Sequence, residues 1–393
     1  MHPDNPKRLA TQLPARMREA RTAAGLSMRA AAERMPPELA VTHPTISKWE
    51  RGGALPSLRQ LGALATLYNV HPQWFTEERA EVLGLRHRKF KSKVRKADDA
   101  AFRRDAGLAA NALLRLRKVL GVKPSAGPLA DEIRFDDDTT PAVAATKVRE
   151  LLGLGTGPIY NLVAVLADAG ISSVELETSL GIDGAAGVVN GHPFMFVALD
   201  RPADRVRLTC AHEVGHIVFG DCDDGRVPSE EGPTEDRAFD FGSHLILPHE
   251  RLVEAFRGRS FLKLVKTKEE FGISVSAMIY RAREAGEISE TLAARLWKDM
   301  ARRGWRRDEP GNVRWERADE LESHIEVLLH ESGWDWEQIE HAAGIPREQL
   351  QIRLDRAMRR SGFGGPPTGS EEDYLEGDEE RSGVIPFRSQ PDR

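Results

Sequence analysis

The stretch Cys210-Ala-His212-Glu213-Val-Gly-His216 places two histidines four residues apart, with a glutamate directly after the first. On a helix, side chains four residues apart lie on one face, so His212 and His216 can bind a single zinc ion. Glu213 then projects beside the zinc, toward a bound water. Zinc lowers the pKa of that water and polarises a peptide carbonyl, while Glu213 accepts the proton of the water as general base. Because a pattern this short also arises by accident, its surroundings must decide whether the site exists.

The residues before this motif predict a β-hairpin. Two strand-like runs, residues 186–189 and 192–199, flank the dipeptide Asn190-Gly191, which is a strong signal for a two-residue turn. A strand beside a metal-binding helix is significant, because a peptidase commonly holds its substrate extended against the edge of a sheet.

The motif supplies two ligands, and a catalytic zinc site needs a third from the protein. The metzincin pattern would place glycine at position 219 and histidine at position 222, but the chain has Phe219 and Cys222. A carboxylate on a following helix is the better candidate, within Glu235-Asp-Arg-Ala-Phe-Asp-Phe-Gly-Ser-His-Leu-Ile-Leu-Pro248. We interpret His244 and His249 as surface or core histidines rather than as ligands.

Together, the two stretches resemble the ImmA/IrrE family of zinc metallopeptidases. In that family a second helix follows the His-Glu-x-x-His helix, and the chain matches its pattern at Glu235, Ala238, Phe241, Leu245, Ile246 and Pro248. The resemblance covers about residues 140–292. It implies an α+β zincin-like fold, Zn²⁺ as cofactor and Glu235 as the third zinc ligand. The chain departs from the family at Phe239, where Asn or Asp usually supports a metal-binding histidine, and at Gly242, where alanine is usual.

A second motif lies near the N-terminus. The stretch Thr42-His-Pro-Thr-Ile-Ser-Lys-Trp-Glu-Arg-Gly52 predicts a short helix with a polar N-terminal end, a buried Ile46 and a terminating glycine. With the short helices predicted around it, this stretch resembles the Xre/Cro type of helix-turn-helix domain over about residues 13–75. The alternative interpretation is a helical protein-interaction module of the same shape.

The second resemblance implies that this helix enters the major groove of a double-stranded DNA operator. The expected base or phosphate contacts are Thr42, His43, Thr45, Ser47 and Lys48, and the expected phosphate contacts are Arg29 and Arg51. The chain has Met28 where the family usually has glutamine, and residues 36–40 lengthen the turn before the helix. Because such domains usually act as dimers on paired half-sites, we expect a homodimer.

The charge of the chain is distributed unevenly. The formal net charge is -5, but residues 1–96 hold 18 Lys and Arg against 8 Asp and Glu, which leaves -15 for the remaining residues. A basic end on an acidic body indicates that nucleic-acid contact is confined to the N-terminal part. Within it, the basic tract at residues 86–96 either follows the phosphate backbone or is a solvated connector.

Composition excludes several classes of protein. The chain has 393 residues, of which 40% are hydrophobic and 30% charged, as in ordinary globular proteins of two or three domains. It has no apolar run long enough for a membrane span, and its first residues lack the apolar core of a signal peptide. Two cysteines cannot form a disulfide framework. We therefore expect a soluble cytoplasmic protein without a membrane partner.

These observations predict a multidomain chain. Its fold class is an all-α helix-turn-helix domain, then an α+β zincin-like metallopeptidase domain, then a helical C-terminal region. The predicted ranges are 10–78 for the helix-turn-helix domain, 79–139 for a basic and helical connector, 140–300 for the metallopeptidase domain, 301–360 for a helical C-terminal module and 361–393 for a disordered tail. Residues 334–350 have the outline of a second helix-turn-helix, but its first helix is acidic, which favours packing or oligomerisation over DNA contact.

The resemblances imply a transcriptional regulator that binds an operator and carries a zinc endopeptidase domain. Members of the ImmA/IrrE family cut within a helix-turn-helix repressor, so the expected substrate is such a repressor, either a partner or the chain itself. The expected trigger is stress or a mobile-element signal. The alternative is a non-catalytic DNA-binding regulator or antitoxin, whose zincin fold senses a ligand or binds a partner.

Overall fold

A computed structural model describes most of the chain. The described residues are 6–76, 82–89, 96–123, 127–131, 133–175, 182–198, 201–222, 233–258, 260–306 and 308–361. Among them, no helix is both long enough and apolar enough to pass through a bilayer. The tail predicted to be disordered, beyond residue 361, lies outside the described residues.

The N-terminal part is helical. Its elements are α1 (Pro6–Ala23), α2 (Met28–Glu33), a 3-10 helix (Pro37–Leu39), α3 (His43–Glu50), α4 (Leu58–Tyr68) and a second 3-10 helix (Pro72–Phe75). Local side chains define where these helices begin. The Ser27 hydroxyl accepts a hydrogen bond from the backbone N–H of Ala30, and Ser57 and Gln60 form a capping box at the start of α4.

The remaining elements alternate between strands and helices before the chain becomes helical again. The connector and central part contain β1 (Val82–Lys89), α5 (Lys96–Leu120), α6 (Pro128–Asp131), α7 (Pro141–Leu151), α8 (Leu162–Asp168), β2 (Ser172–Glu175), β3 (Ile182–Val189), β4 (His192–Val197), α9 (Ala203–Val218), α10 (Pro233–Ile246), α11 (His249–Phe256), α12 (Phe261–Phe271), α13 (Val275–Glu284) and α14 (Glu290–Arg302). The C-terminal part contains α15 (Glu320–His330), α16 (Trp336–Ala343) and α17 (Arg347–Ser361). This sequence of a helical part, a mixed α/β part and a helical part confirms the predicted fold class.

Within the described ranges, four strands form one sheet in the order β1-β3-β4-β2. Strand β3 pairs antiparallel with β4, and the parallel partner of β4 is β2. The predicted hairpin joins β3 to β4, with Asn190 and Gly191 at φ values of 50° and 80°. Positive φ at both central residues suits the Asn-Gly pair and the twist of the flanking strands.

Strand β1 was not indicated by the sequence, because its basic end resembles a solvated charge run. It pairs antiparallel with β3, from Val82 opposite Val189 to Lys89 opposite Ile182. The chain segment predicted as a connector, 79–139, therefore contributes a strand to the sheet of the segment predicted as the metallopeptidase domain. The proposed division into domains remains a prediction.

The sheet separates two buried clusters. One cluster contains Met195 and Val197 on the face toward α9. The other contains Phe194 and Phe196 on the opposite face, and it continues through α5 into the C-terminal helices and the N-terminal helices. Because the side chains of a strand alternate between faces, the hairpin strand β4 contributes to both clusters. The metal-motif helix and the DNA-motif helix therefore belong to different clusters.

The segment between α14 and α15 ties the metal-motif helix to its surroundings. The Glu316 carboxylate accepts hydrogen bonds from the backbone N–H groups of Leu162 and Val163, at 3.0 and 3.2 Å, which caps α8. The same carboxylate forms a buried ion pair with Arg207 of α9. Burial lowers the pKa of Arg207 to about 10, well above neutrality, so the guanidinium keeps its charge.

The C-terminal module packs against the N-terminal part. The amide Nε2 of Gln349 donates a hydrogen bond to the backbone oxygen of Asn69 at 2.9 Å. The side-chain amide nitrogen of Gln73 lies 2.7 Å from Nδ1 of His341. These two contacts join residues far apart in sequence, and they attach the helix-turn-helix part to α16 and α17.

Candidate metal centre and nucleic-acid interface

The metal motif lies on α9, a helix that is buried along most of its length. The side chains of His212, Glu213 and His216 are exposed by only 2%, 1% and 1%. A buried polar side chain costs free energy unless it is paired, so three of them on one helix need partners from elsewhere in the fold.

Helix α10 brings Glu235 to the two histidines. Its Oε2 lies 3.2 Å from Nε2 of His212, and its Oε1 lies 3.3 Å from Nε2 of His216. The two Nε2 atoms are 3.1 Å apart. One candidate ligand atom from each of the three residues lies within 4.8 Å of the others, and no second group of this kind occurs among the described residues.

The donor set and the electrostatics of this group suit a zinc ion. Two imidazoles and one carboxylate are a known set of protein ligands for catalytic zinc. Burial would raise the pKa of Glu235, but its hydrogen bonds with His212 and His216 hold it far below its usual range. Burial would lower the pKa of His216, but Asp221 and Glu235 outweigh it and raise the pKa to about 9. The cluster therefore favours a positive charge at its centre, which a divalent cation supplies.

The sequence did not identify Asp221, which supports His216 from the far side of the ring. Its Oδ2 lies 2.8 Å from Nδ1 of His216, and its Oδ1 accepts a hydrogen bond from Arg237 at 2.9 Å. A carboxylate that accepts a hydrogen bond from Nδ1–H would leave Nε2 as the nitrogen available to a metal. The signal in the sequence was an aspartate one residue after Gly220, whose φ of 71° turns the chain back at the end of α9.

The two departures from the family pattern have structural explanations. The Phe239 ring packs edge to face against Tyr280, with ring centroids 6.4 Å apart, and Asp221 supplies the carboxylate instead. A Cβ atom at Gly242 would lie 2.7 Å from the backbone nitrogen of His212, so alanine would not fit without a shift of backbone. Gly242 thus permits α10 to approach the metal-motif helix closely.

Strand β3 crosses α9 next to Glu213. A Cβ atom at Gly184 of β3 would lie 2.4 Å from Cγ2 of Thr209 and 3.2 Å from Oε1 of Glu213. Only glycine allows the strand to come this close to the helix. The predicted general base, next to His212 in sequence, therefore packs against the backbone of β3.

Helix α3 carries the predicted DNA contacts, and its inner face is fixed to the N-terminal core. Ile46, Trp49 and Glu50 are buried. The Glu50 carboxylate forms two hydrogen bonds with the Arg21 guanidinium, at 2.6 and 2.9 Å. Arg18 donates to the backbone oxygen of Glu50 at 3.0 Å, so the end of α3 is attached to α1 by two arginines.

The predicted contact residues lie on the outer side of α3 and around it. Thr42, His43, Lys48 and Arg51 are exposed, whereas Thr45 and Ser47 are half-buried. Arg29 is exposed on α2, 3.3 Å from Glu33 in an ion pair along that helix. In the lengthened turn, a 3-10 helix over Pro37–Leu39 separates α2 from α3. The polar ends of these side chains can reach a ligand, and their contacts with DNA remain a prediction.

A helix-turn-helix part joined to an α/β part with a His-Glu-x-x-His helix defines a DNA-binding regulator with a protease-like domain. A family model described as a helix-turn-helix matches residues 17–75, and a model described as an IrrE N-terminal-like domain matches residues 168–283. The chain thus combines an Xre-type helix-turn-helix domain with an IrrE/ImmA-like peptidase domain, which confirms both resemblances. Comparisons with curated proteins and with solved structures found no match.

Proposed function

We propose that the chain is a transcriptional regulator whose IrrE/ImmA-like domain is a zinc-dependent endopeptidase. Its substrate is a repressor-type helix-turn-helix protein, either a partner or the chain itself, and cleavage responds to stress or a mobile-element signal. The observation that carries the proposal is the convergence of His212, His216 and Glu235 directly beside Glu213.

The residues of this site fall into three roles: metal binding, support of a ligand and proton transfer. His212, His216 and Glu235 would hold Zn²⁺, and Asp221 orients His216. Bound zinc would supply Lewis acidity, which activates water and polarises the peptide carbonyl. Glu213 accepts a proton from the attacking water as the C–O bond forms, and it transfers that proton to the amine nitrogen as the C–N bond breaks. Burial of Glu213 among α9 and β3 keeps bulk water from competing for this proton.

The DNA end binds a double-stranded operator as a homodimer on paired half-sites. The polar end of α3 enters the major groove, where Thr42, His43, Thr45, Ser47 and Lys48 contact bases or phosphates. Arg29 and Arg51 hold phosphates on either side. The support for this arrangement is the exposed outer side of α3 and the surplus of basic residues in the N-terminal quarter of the chain.

Metal analysis and a cleavage assay test the proposal together. We expect about one zinc per chain in the wild type and in Glu213→Gln, and much less in His212→Ala. The purified protein is incubated with the helix-turn-helix proteins encoded beside its gene, and the products are identified by mass spectrometry. The wild type should yield new termini that Glu213→Gln does not.

A regulatory assay distinguishes the alternative function. If Glu213→Gln regulates as the wild type does, while His212→Ala and Lys48→Ala abolish regulation, the peptidase proposal is wrong. The protein would then be a non-catalytic regulator or antitoxin whose zinc fold acts as a sensor or a partner-binding module.

A further inference from the structure

Strand β1 covers the outer edge of β3 with the chain's own backbone. In the sheet order β1-β3-β4-β2, one side of β3 pairs with β4 and the other side pairs with β1. The paired residues run antiparallel along the whole of β3, from Val82 opposite Val189 to Lys89 opposite Ile182. Residues 82–89 therefore occupy the outer side of β3 and pair with its backbone except at two irregularities.

Strand β3, whose outer edge β1 covers, packs with one face against the helix that carries the predicted general base. Gly184 of β3 lies so close to α9 that its Cβ position would be 3.2 Å from Oε1 of Glu213. In the register of the pair, His87 lies opposite Ala185 and Lys89 lies opposite Ile182. Residues 87–89 of β1 thus run along β3 at the point where β3 crosses Glu213.

Strand β1 lies outside both of the segments that match family models. The segment that matches the IrrE N-terminal-like model, residues 168–283, contains β2, β3, β4, α9 and α10, and so contains every group of the candidate metal centre. Strand β1 lies outside it and outside the helix-turn-helix match at residues 17–75. The matched segment therefore contains the whole candidate site, and β1 pairs with the edge of β3 from outside that segment.

The pairing of β1 with β3 is also less regular than that of β3 with β4. The β1–β3 register shifts twice within eight residues, between Leu83 and Arg86 and between His87 and Lys89. The β3–β4 register runs from Gly184 to Val189 without a shift. Interrupted ladders leave backbone groups unpaired, so the two irregularities lower the cost in free energy of displacing β1 from β3.

We propose that residues Val82–Lys89 are an intramolecular occupant of the peptide-binding edge of β3, which an extended substrate segment must displace before it can be cut. The proposal rests on the peptidase function proposed above. An extended peptide that adds a strand to β3 needs the same N–H and C=O groups that β1 uses, so the two cannot bind together. A segment tethered within one chain acts at an effective concentration of about 1 mM or more. A free peptide with a dissociation constant of tens of micromolar would thus bind the closed protein about 10- to 100-fold more weakly than the opened one.

The test measures peptide binding rather than cleavage. The probe is a fluorescein-labelled peptide with the sequence of residues 80–92, and binding is followed by anisotropy on the zinc-loaded full chain carrying Glu213→Gln. Arg86→Pro and His87→Pro are then added together. Because alternate residues of a strand point their N–H groups to opposite sides, one of these prolines must remove a donor to β3. We expect the proline variant to bind the peptide at least 10-fold more tightly, and a scrambled peptide of the same composition to show no such change.

A disulfide lock provides the complementary measurement and keeps the strand in place. Leu83 and Val188 lie opposite each other, so Leu83→Cys with Val188→Cys can join β1 to β3. The oxidised protein should bind the peptide at least 10-fold more weakly than the reduced protein, and the wild type should show no change on oxidation. The proposal is overturned if the oxidised and reduced disulfide variants bind the peptide equally well, or if no variant binds the peptide at all. This test does not depend on whether the proline variant folds.

The two proposals fail in different ways. If the lock blocks peptide binding but no variant hydrolyses any substrate, the edge assignment stands and the peptidase function is wrong. The disulfide variant is also prepared with Glu213 intact. If it cleaves substrate equally well when oxidised and when reduced, β1 is a permanent strand of the fold and the peptidase function stands.

Discussion

The carboxylate of Asp221 lies 2.8 Å from Nδ1 of His216, on the opposite side of the ring from the nitrogen that faces His212 and Glu235. One hydrogen bond thus fixes the direction of a candidate ligand. The carboxylate is held in turn by Arg237, so its position does not depend on His216 alone.

Replacing Asp221 should weaken zinc binding. For Asp221→Asn we expect a loss of about 10- to 100-fold in zinc affinity, because an amide fixes the imidazole less firmly and makes it less basic. Competition with a chromophoric chelator measures the affinity. Asp236→Asn, an exposed position on the neighbouring helix, is the control and should keep the wild-type value. Equal affinities for the two variants would show that Asp221 does not support the ligand.

The close approach of α10 to α9 should make Gly242 sensitive to a single added carbon. In Gly242→Ala the new Cβ would lie 2.7 Å from the backbone nitrogen of His212, and the resulting strain should cost about 1–3 kcal/mol of unfolding free energy. Gly62→Ala in helix α4 is the matched control, since no heavy atom of the described residues outside its own stretch of helix lies within 4 Å of its Cβ position. That variant should be neutral or more stable by up to about 1 kcal/mol. Thermal unfolding of both variants measures the change in Tm relative to the wild type. A wild-type Tm for Gly242→Ala would contradict the close packing of α10 on α9.

The Arg207–Glu316 pair should be important for stability because both partners are buried. Glu316→Ala leaves the Arg207 charge buried without its carboxylate and removes the cap of α8, so we expect a loss of about 3–5 kcal/mol. Arg317→Ala breaks the exposed pair with Asp319 and should cost less than about 1 kcal/mol. Urea unfolding measures both. The interpretation of the segment before α15 as a structural tie would be wrong if the two losses were alike.

Stability should depend on pH through Glu322, which is buried with one oxygen 3.1 Å from Arg353. Its Oε2 has no hydrogen-bond partner in the described part of the chain. Burial raises the pKa of Glu322 above its ordinary value, so the folded state holds the proton more tightly than the unfolded state. This contribution to stability is present at low pH and is lost as pH rises through the folded-state pKa. The unfolding free energy of Glu322→Gln should therefore rise relative to that of the wild type as the pH increases from about 4 to about 7. Unfolding experiments at each pH measure this difference. A fall of the variant relative to the wild type over that interval would contradict the assignment.

Binding of the operator should depend on Lys48 through phosphate or base contact. Lys48→Ala should weaken operator binding, and if the contact is to a phosphate the slope of log K against log salt should fall by about 1. Lys118→Ala, an exposed lysine near the end of α5, is the control for overall charge. Titrations of each variant with operator DNA at several salt concentrations measure the affinity and its salt dependence. Equal effects of the two substitutions would place the DNA interface elsewhere.

The parts of this structure that the sequence predicted depend on short spacings. His212 and His216 share a helix face because they are four residues apart, and Asn190-Gly191 forms its turn because both residues tolerate positive φ. Asp221 was missed because its partner depends on where the chain turns after α9. Strand β1 was missed because its pairing with β3 joins residues about 100 positions apart, and a basic run carries no local sign of such a partner.

The buried cluster shared by the N-terminal helices, α5 and the C-terminal helices has a consequence for self-cleavage. A cut in the chain between residues 76 and 82 would break the covalent link between the DNA-binding part and the rest, but it would leave their non-covalent contacts in place. The nicked halves would still share the packing of Met17, Leu113 and Ile325 and the hydrogen bond from Gln349 to Asn69. Relief of repression by a cut at that place would therefore require a further step that pulls the fragments apart, whereas a cut within α3 or α4 would destroy the proposed operator-binding surface at once.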